Sequence, residues 1–299
     1  MKKTEGGVTA PRGFLAAGAA AGIKKNQKDM AMIYSRKPCR AAGTFTKNLV
    51  KAAPVKWDQE VVYEGGTVQA VVVNSGVANA CTGKEGYDCC LETARKAALE
   101  LNLTYDQVLV ASTGVIGAQI PVEKIKKGIE MMVPLLSESR EAGEMAAEAI
   151  MTTDTVKKEI AVSFELGGKT VTLGGMCKGS GMIHPNMCTM LSFLTTDACI
   201  SKEMLQKALS ASVEDTYNMV SVDGDTSTND TVLLLANGMA ENPEITEEGE
   251  EYRAFLQALN QVNTYLAKQI AGDGEGATAL FEVKVIGAAE KEQAVTLSK

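Results

Sequence analysis

The sequence predicts a mixed α/β chain with several antiparallel connections, not a strict βαβ series. Three observations carry this reading. Short apolar runs are bounded by turn residues, helical apolar spacing fills the gaps between them, and one pair of strand-like runs closes around Gly167-Gly168. Val68 to Val73 (VQAVVV) reads as a buried strand ended by Asn74-Ser75-Gly76. Gly86 to Leu101 has helical spacing, and Gln107 to Ala111 is a second short strand. Pro121 suits a helix start, opening a helix to Met132, and Glu141 to Met151 is an Ala- and Glu-rich helix. Ile160 to Leu166 and Lys169 to Met176 form the hairpin. Met190 to Leu194 and Thr231 to Ala236 read as strands, and Ser201 caps a helix running to Tyr217. Glu247 to Ile270 is a long amphipathic helix. Ala279 to Ile286 alternates Phe281, Val283 and Val285 as a half-buried strand, and Glu290 to Leu297 can begin a helix.

The bulk properties exclude several classes. The 299 residues can hold one large domain or two intimate ones. An apolar content of 45% and a charged content of 22% suit a soluble enzyme, and with 5% aromatics the core must rest on aliphatic side chains. A net charge of -7 argues against broad binding to nucleic acid. No apolar run approaches the roughly 20 residues that span a bilayer. Phe14 to Ile23 hints at a signal-peptide core, but the polar Thr4-Glu5 and the Pro11-Arg12 pair interrupt the approach. The 7 cysteines form no CxxC pair and His184 is the single histidine, so no metal site is expected. Reduced thiols and a cytoplasmic location fit best.

The richest chemistry lies between Lys178 and Leu191, a small-residue stretch that turns abruptly apolar. Cleavage of the Cys188-Thr189 bond would make Thr189 an N-terminal residue. Its hydroxyl would then have the α-amine, of pKa about 7.7–8.0, as its own base. The alternative is a Gly-rich loop leading into a strand that contains Thr189. Ser112-Thr113-Gly114 follows a strand and can present N–H and hydroxyl donors to an oxyanion, or can simply connect to the next helix. Asp223 to Asp230 is dense in carboxylates and hydroxyls but lacks EF-hand spacing; a polar turn that packs around the active site, or simply caps local backbone groups, is the better account. Glu275 is either a surface acid or a counter-ion for a substrate ammonium. No GxSxG elbow, Rossmann glycine pattern or Walker sequence is present.

Seven ordered motifs together resemble the ornithine acetyltransferase (glutamate N-acetyltransferase) family of arginine biosynthesis. They begin with Gly6-Gly7-Val8-Thr9-Ala10-Pro11-Arg12-Gly13-Phe14 and Asn74-Ser75-Gly76-Val77-Ala78-Asn79-Ala80-Cys81-Thr82-Gly83. Ser112 to Gly117, Thr152-Thr153-Asp154 and Lys178 to Ile183 follow, with Pro185 to Leu191 continuing the last. Ser221 to Asp230 and Asp273-Gly274-Glu275-Gly276-Ala277-Thr278 complete them.

The resemblance implies an αββα-like sandwich of mixed, largely antiparallel sheets covered by helices. It implies self-cleavage between Cys188 and Thr189 into an α chain (1–188) and a β chain (189–299), intertwined as one catalytic unit. Thr189 is then the acetyl-accepting nucleophile, Thr113 and Gly114 form the oxyanion hole, and Thr152, Lys178, Thr189 and Glu275 contact substrate. The implied partners are N-acetyl-ornithine, glutamate and ornithine, with an α2β2 heterotetramer as the assembly. No cofactor is implied; some members also accept acetyl-CoA as a substrate. The family uses an Asn and a Thr near its C-terminus that have no counterparts here, and members run roughly a hundred residues further. The ending after Ile286 therefore reads as a truncation. The rival classes are a self-processing amidase or aminopeptidase and a non-catalytic assembly subunit.

Overall fold

The computed structural model describes residues 1–183 and 190–298. In chain order the elements are β1 (Lys2–Thr4), β2 (Phe14–Ala19), β3 (Met30–Phe45), α1 (Ala53–Glu64), β4 (Val68–Val77), α2 (Gly83–Leu101), β5 (Val108–Val115) and α3 (Val122–Met132). They continue with α4 (Arg140–Ala149), β6 (Lys158–Leu166), β7 (Lys169–Lys178), β8 (Leu191–Thr196), α5 (Lys202–Glu214), β9 (Thr231–Ala236), α6 (Glu250–Gly272) and α7 (Lys291–Ser298).

β3 organises the fold by serving two sheets. Its first half, Met30 to Tyr34, pairs with β2 on one side and β4 on the other. The register shifts between Tyr34 and Cys39, and Arg40 to Phe45 then pairs with β9. One sheet runs β2-β3-β4-β5 and the other β1-β6-β7-β8-β9-β3. Among the strands of the described residues only β4–β5 and β8–β9 are parallel pairs; the remaining strand pairings are antiparallel. The predicted mixed, largely antiparallel architecture is the observed one.

In the second sheet β8 and β9 are buried on both faces. Phe193, Leu233 and Leu235 join the core built around β2–β5, while Leu194, Val232 and Leu234 point the other way onto α5 and α6. This is why β9 (TVLLLA) reads as a nearly continuous apolar run, whereas β8 (LSFLTT) keeps three hydroxyl residues, all of them buried. Ser201 caps α5 as predicted, its Oγ accepting the Met204 N–H at 3.2 Å. Among the described residues no helix is long and apolar enough to cross a membrane.

One expectation is corrected, and one weak hint is resolved. Ala279 to Ile286 forms no strand, and Phe281 and Ile286 are 83% and 81% exposed. Alternation sets the faces a strand would have, but it supplies no neighbour to complete the hydrogen-bond ladder. The apolar stretch beginning at Phe14 is strand β2, and Phe14, Ala16 and Ala17 are fully buried. Its hydrophobicity serves the core of the first sheet.

Candidate active site

The site begins where the parallel strands β4 and β5 end together. Gly76 lies opposite Gly114, with φ of 106° and 130°, which side chains rarely tolerate. A Cβ on Gly114 would stand 2.3 Å from the Gly76 carbonyl carbon, so the two backbones approach this closely only because residue 114 is glycine. Thr113 just before it is 3% exposed. The preceding Ser112 hydroxyl donates to Asn74 Oδ1 at 2.6 Å. Asn229, with its amide turned so that both ends are satisfied, donates to the carbonyls of Ala78 and Ser112 at 3.0 and 3.2 Å. The strand end that carries Thr113 and Gly114 is thus held on two sides.

Lys24 connects this strand end to the next segment. Its Cγ passes 3.0 Å from where a Gly76 Cβ would be, and its Nζ donates to the Met151 carbonyl at 2.9 Å. Buried Asp29 accepts the Ala21, Ile23 and Lys24 N–H groups at 2.7, 2.6 and 2.9 Å, which fixes the turn that delivers Lys24. Burial lowers the Lys24 pKa, with Asp29 and Asp154 opposing.

Thr152 and Lys178 meet at Asp154. The Thr152 N–H donates to Asp154 Oδ2 at 3.0 Å, and Lys178 Nζ lies 3.8 Å from the same oxygen. Asp154 Oδ1 accepts the Gly179 N–H and Lys158 Nζ, each at 2.7 Å. Burial pushes Lys178 below the ordinary lysine range, and Asp154 only partly restores it. Burial would raise Asp154, but Lys178 and Lys158 prevail and hold its carboxyl below the usual value. Glu275 enters from the end of α6: its N–H donates to the Ser180 carbonyl at 2.8 Å. A Cβ on Gly181 would lie 2.6 Å from its Oε2, so Gly181 leaves the room that carboxylate occupies.

The acidic turn braces the described residues on either side of 184–189. Asp223 accepts the Met182 and Ile183 N–H groups at 2.5 and 2.8 Å. Asp230 Oδ1 accepts the Met190 N–H at 3.0 Å. The turn also caps its own backbone, Asp223 accepting the Asp225 N–H and Ser227 Oγ the Asn229 N–H, but the bonds to Met182, Ile183 and Met190 reach beyond local capping. Burial raises the Asp230 pKa to about 7, against the Met190 N–H. His184, Cys188 and Thr189 lie outside the described residues. Of the predicted site residues that are described, Thr113 and Gly114 stand at one strand end, and Thr152, Lys178 and Glu275 gather around the Asp154 segment.

A family model described as the ArgJ family matches residues 15–299. The chain belongs to the ArgJ family. An arginine biosynthesis bifunctional protein ArgJ of Symbiobacterium thermophilum is 55% identical over 292 residues, 97% of this chain and 72% of that protein. Its counterpart in Caldanaerobacter subterraneus is 52% identical over 299 residues, covering 100% of this chain and 73% of the relative. The crystal structure of ArgJ from Bacillus halodurans superposes with a TM-score of 0.59 at 44% identity, covering 62% of this chain and 96% of that one. An ornithine acetyltransferase from Mycobacterium tuberculosis, complexed with ornithine, gives 0.56 at 42% identity, covering 60% and 95%. A Burkholderia β-aminopeptidase gives 0.57 over 92% of this chain and 88% of its own, at 12% identity, a likeness of fold alone.

Sequence reasoning gave no role to Lys24, Asp29 or Lys158, and none to Asp154 beyond its motif. Asp154 and Asp230 sat inside quoted motifs, which was the available signal. Lys24 and Lys158 are lysines at ordinary spacing, and only the fold shows their burial.

Proposed function

We propose that this chain moves acetyl from N2-acetyl-L-ornithine to L-glutamate through an acetyl ester on Thr189, after self-cleavage at Cys188-Thr189. The observation that carries the reading is the gathering of Thr113-Gly114, Thr152 and Lys178 at one end of the two sheets, in an ArgJ-family chain. The ornithine named with the Mycobacterium tuberculosis neighbour supports the substrate class. The Bacillus halodurans chain is 96% covered by a match that takes in only 62% of this one. That chain is therefore shorter than this one, a length that fits a separated 1–188 fragment.

In the first half-reaction Thr189 Oγ attacks the acetyl carbonyl and its hydroxyl proton passes to the α-amine. Gly114 N–H and the Thr113 hydroxyl receive the oxyanion. Collapse breaks the amide C–N bond, and the proton held by the amine goes to the departing ornithine nitrogen. Glutamate's amine then attacks the ester and gives a proton to the α-amine, which passes it to Thr189 Oγ as that oxygen leaves. Lys178 pairs with an α-carboxylate and Glu275 with the ornithine ammonium. The relatives are named bifunctional, which leaves room for a second reaction, and acetyl-CoA is the second donor proposed. The chain's own groups perform each step; a cytoplasmic α2β2 assembly of fragments 1–188 and 189–299 completes the reading.

The test is stoichiometric. With N2-acetyl-ornithine and glutamate, equal amounts of ornithine and N-acetylglutamate are expected. Release of acetate without N-acetylglutamate would make the enzyme an amidase.

A further inference from the structure

We propose that Lys158 is a positioning residue for substrate: its buried ammonium, clamped between Asp154 and Asp273, fixes the three segments carrying Thr152, Lys178 and Glu275 and keeps Lys178 open to a substrate carboxylate. The inference rests on the functional reading above, which makes those three residues substrate contacts.

The geometry is specific. The Lys158 side chain has no exposed surface and reaches Asp154 Oδ1 at 2.7 Å and Asp273 Oδ2 at 2.5 Å. Each acid ties a different segment to the same ammonium. Asp154 holds the N–H groups of Thr152 and Gly179. Asp273 accepts the Thr155 N–H at 3.0 Å and the Thr155 hydroxyl, while its carbonyl accepts the Ser180 hydroxyl at 2.6 Å. Lys158 lies opposite Cys177 in the β6–β7 ladder, one residue from Lys178. Three stretches far apart in sequence are therefore joined through a single cation.

Competition for Asp154 gives the clamp its second effect. Asp154 sits 2.7 Å from Lys158 but 3.8 Å from Lys178. Two buried acids and two buried lysines make the cluster neutral, and Lys158 takes one oxygen of each acid. Without it, Asp154 would lack its closest counter-charge and would close on Lys178. The lysine assigned to the substrate carboxylate would then already be paired, and binding would weaken while the oxyanion donors on β5 stay in place. A purely structural ion pair has a different signature: less folded protein, each molecule working normally.

The experiment compares wild type, Lys158→Met and Asp273→Asn as full chains in the acetyl-transfer assay, with melting temperature and the extent of cleavage measured on the same samples. Expected in Lys158→Met is a rise of about tenfold or more in KM for both amino-acid substrates, and in Asp273→Asn, which leaves Lys158 on Asp154 but frees the segment carrying Glu275, the same rise for N2-acetyl-ornithine, with kcat of the cleaved protein within about threefold in each. Lower melting temperature with unchanged KM would overturn the proposal. If Lys158→Met does not fold, Asp273→Asn decides by its KM for N2-acetyl-ornithine, since it removes one charge of the clamp and keeps its size. Transfer by wild type with unchanged KM in the variants defeats this inference alone. Absence of transfer by wild type defeats the functional reading and this inference with it.

Discussion

Asp230 is fully buried; its Oδ1 accepts the Met190 N–H, and its Oδ2 has no partner among the described residues. Burial raises this carboxyl from 3.8 to about 7. A raised acid holds its proton in the folded state when the unfolded chain has already released it. Its stabilising contribution is thus complete below the unfolded value and is lost as pH rises through 7. The shift corresponds to something on the order of 4 kcal/mol. Asp230→Asn removes the titration. Urea unfolding at pH 5 and pH 8 should show wild type losing more stability across the interval than the variant; equal losses would mean that Asp230 does not titrate there. Thr113→Ala should lower kcat by about 10²–10³, and an unchanged kcat would remove its oxyanion role. Thr113 and Lys178 were legible because they stand inside motifs whose residue types suit the chemistry. Lys158 was not, because a lysine's burial depends on where two distant acids fold.

At the scale of elements, the β4–β5 end depends on backbone approach. Gly114→Ala would press a methyl onto the Gly76 carbonyl, where no side chain can give way. Loss of most activity is expected. Gly117 also has positive φ, 78°, but a Cβ there meets nothing within 4 Å. Gly117→Ala should cost only about 1 kcal/mol of stability and keep kcat. Equal kcat in the two variants would contradict the assignment of the Gly114 segment. The strands with clear period or continuous burial, β4, β6, β7, β8 and β9, could be read directly from the sequence. β3 could not: it changes sheets midway, through exposed Arg36, Lys37 and Pro38, so its pattern breaks where its structure continues. Ala279 to Ile286 failed in the opposite way, having the pattern without a partner.

Across the whole molecule, cleavage at Cys188-Thr189 would leave two polypeptides that share one set of sheets. β8 would belong to the C-terminal piece and β7 to the N-terminal one, yet they pair over six positions from Leu173–Thr196 to Lys178–Leu191. β9 and β3 pair over six more, from Arg40–Ala236 to Phe45–Thr231. Apolar residues of both pieces fill each core. The fragments should therefore elute together on size exclusion and separate only in denaturant; separation under native conditions would contradict the shared sheets.

The central claim is a covalent acetyl group on a newly exposed threonine. Enzyme mixed with N2-acetyl-ornithine in the absence of glutamate, then acid-quenched, can be analysed by mass spectrometry of its polypeptides. The account predicts two chains, the second beginning at Thr189 and carrying one acetyl group on that residue, which glutamate discharges. A single intact chain from active protein, or an acetyl group on any other residue, would contradict it.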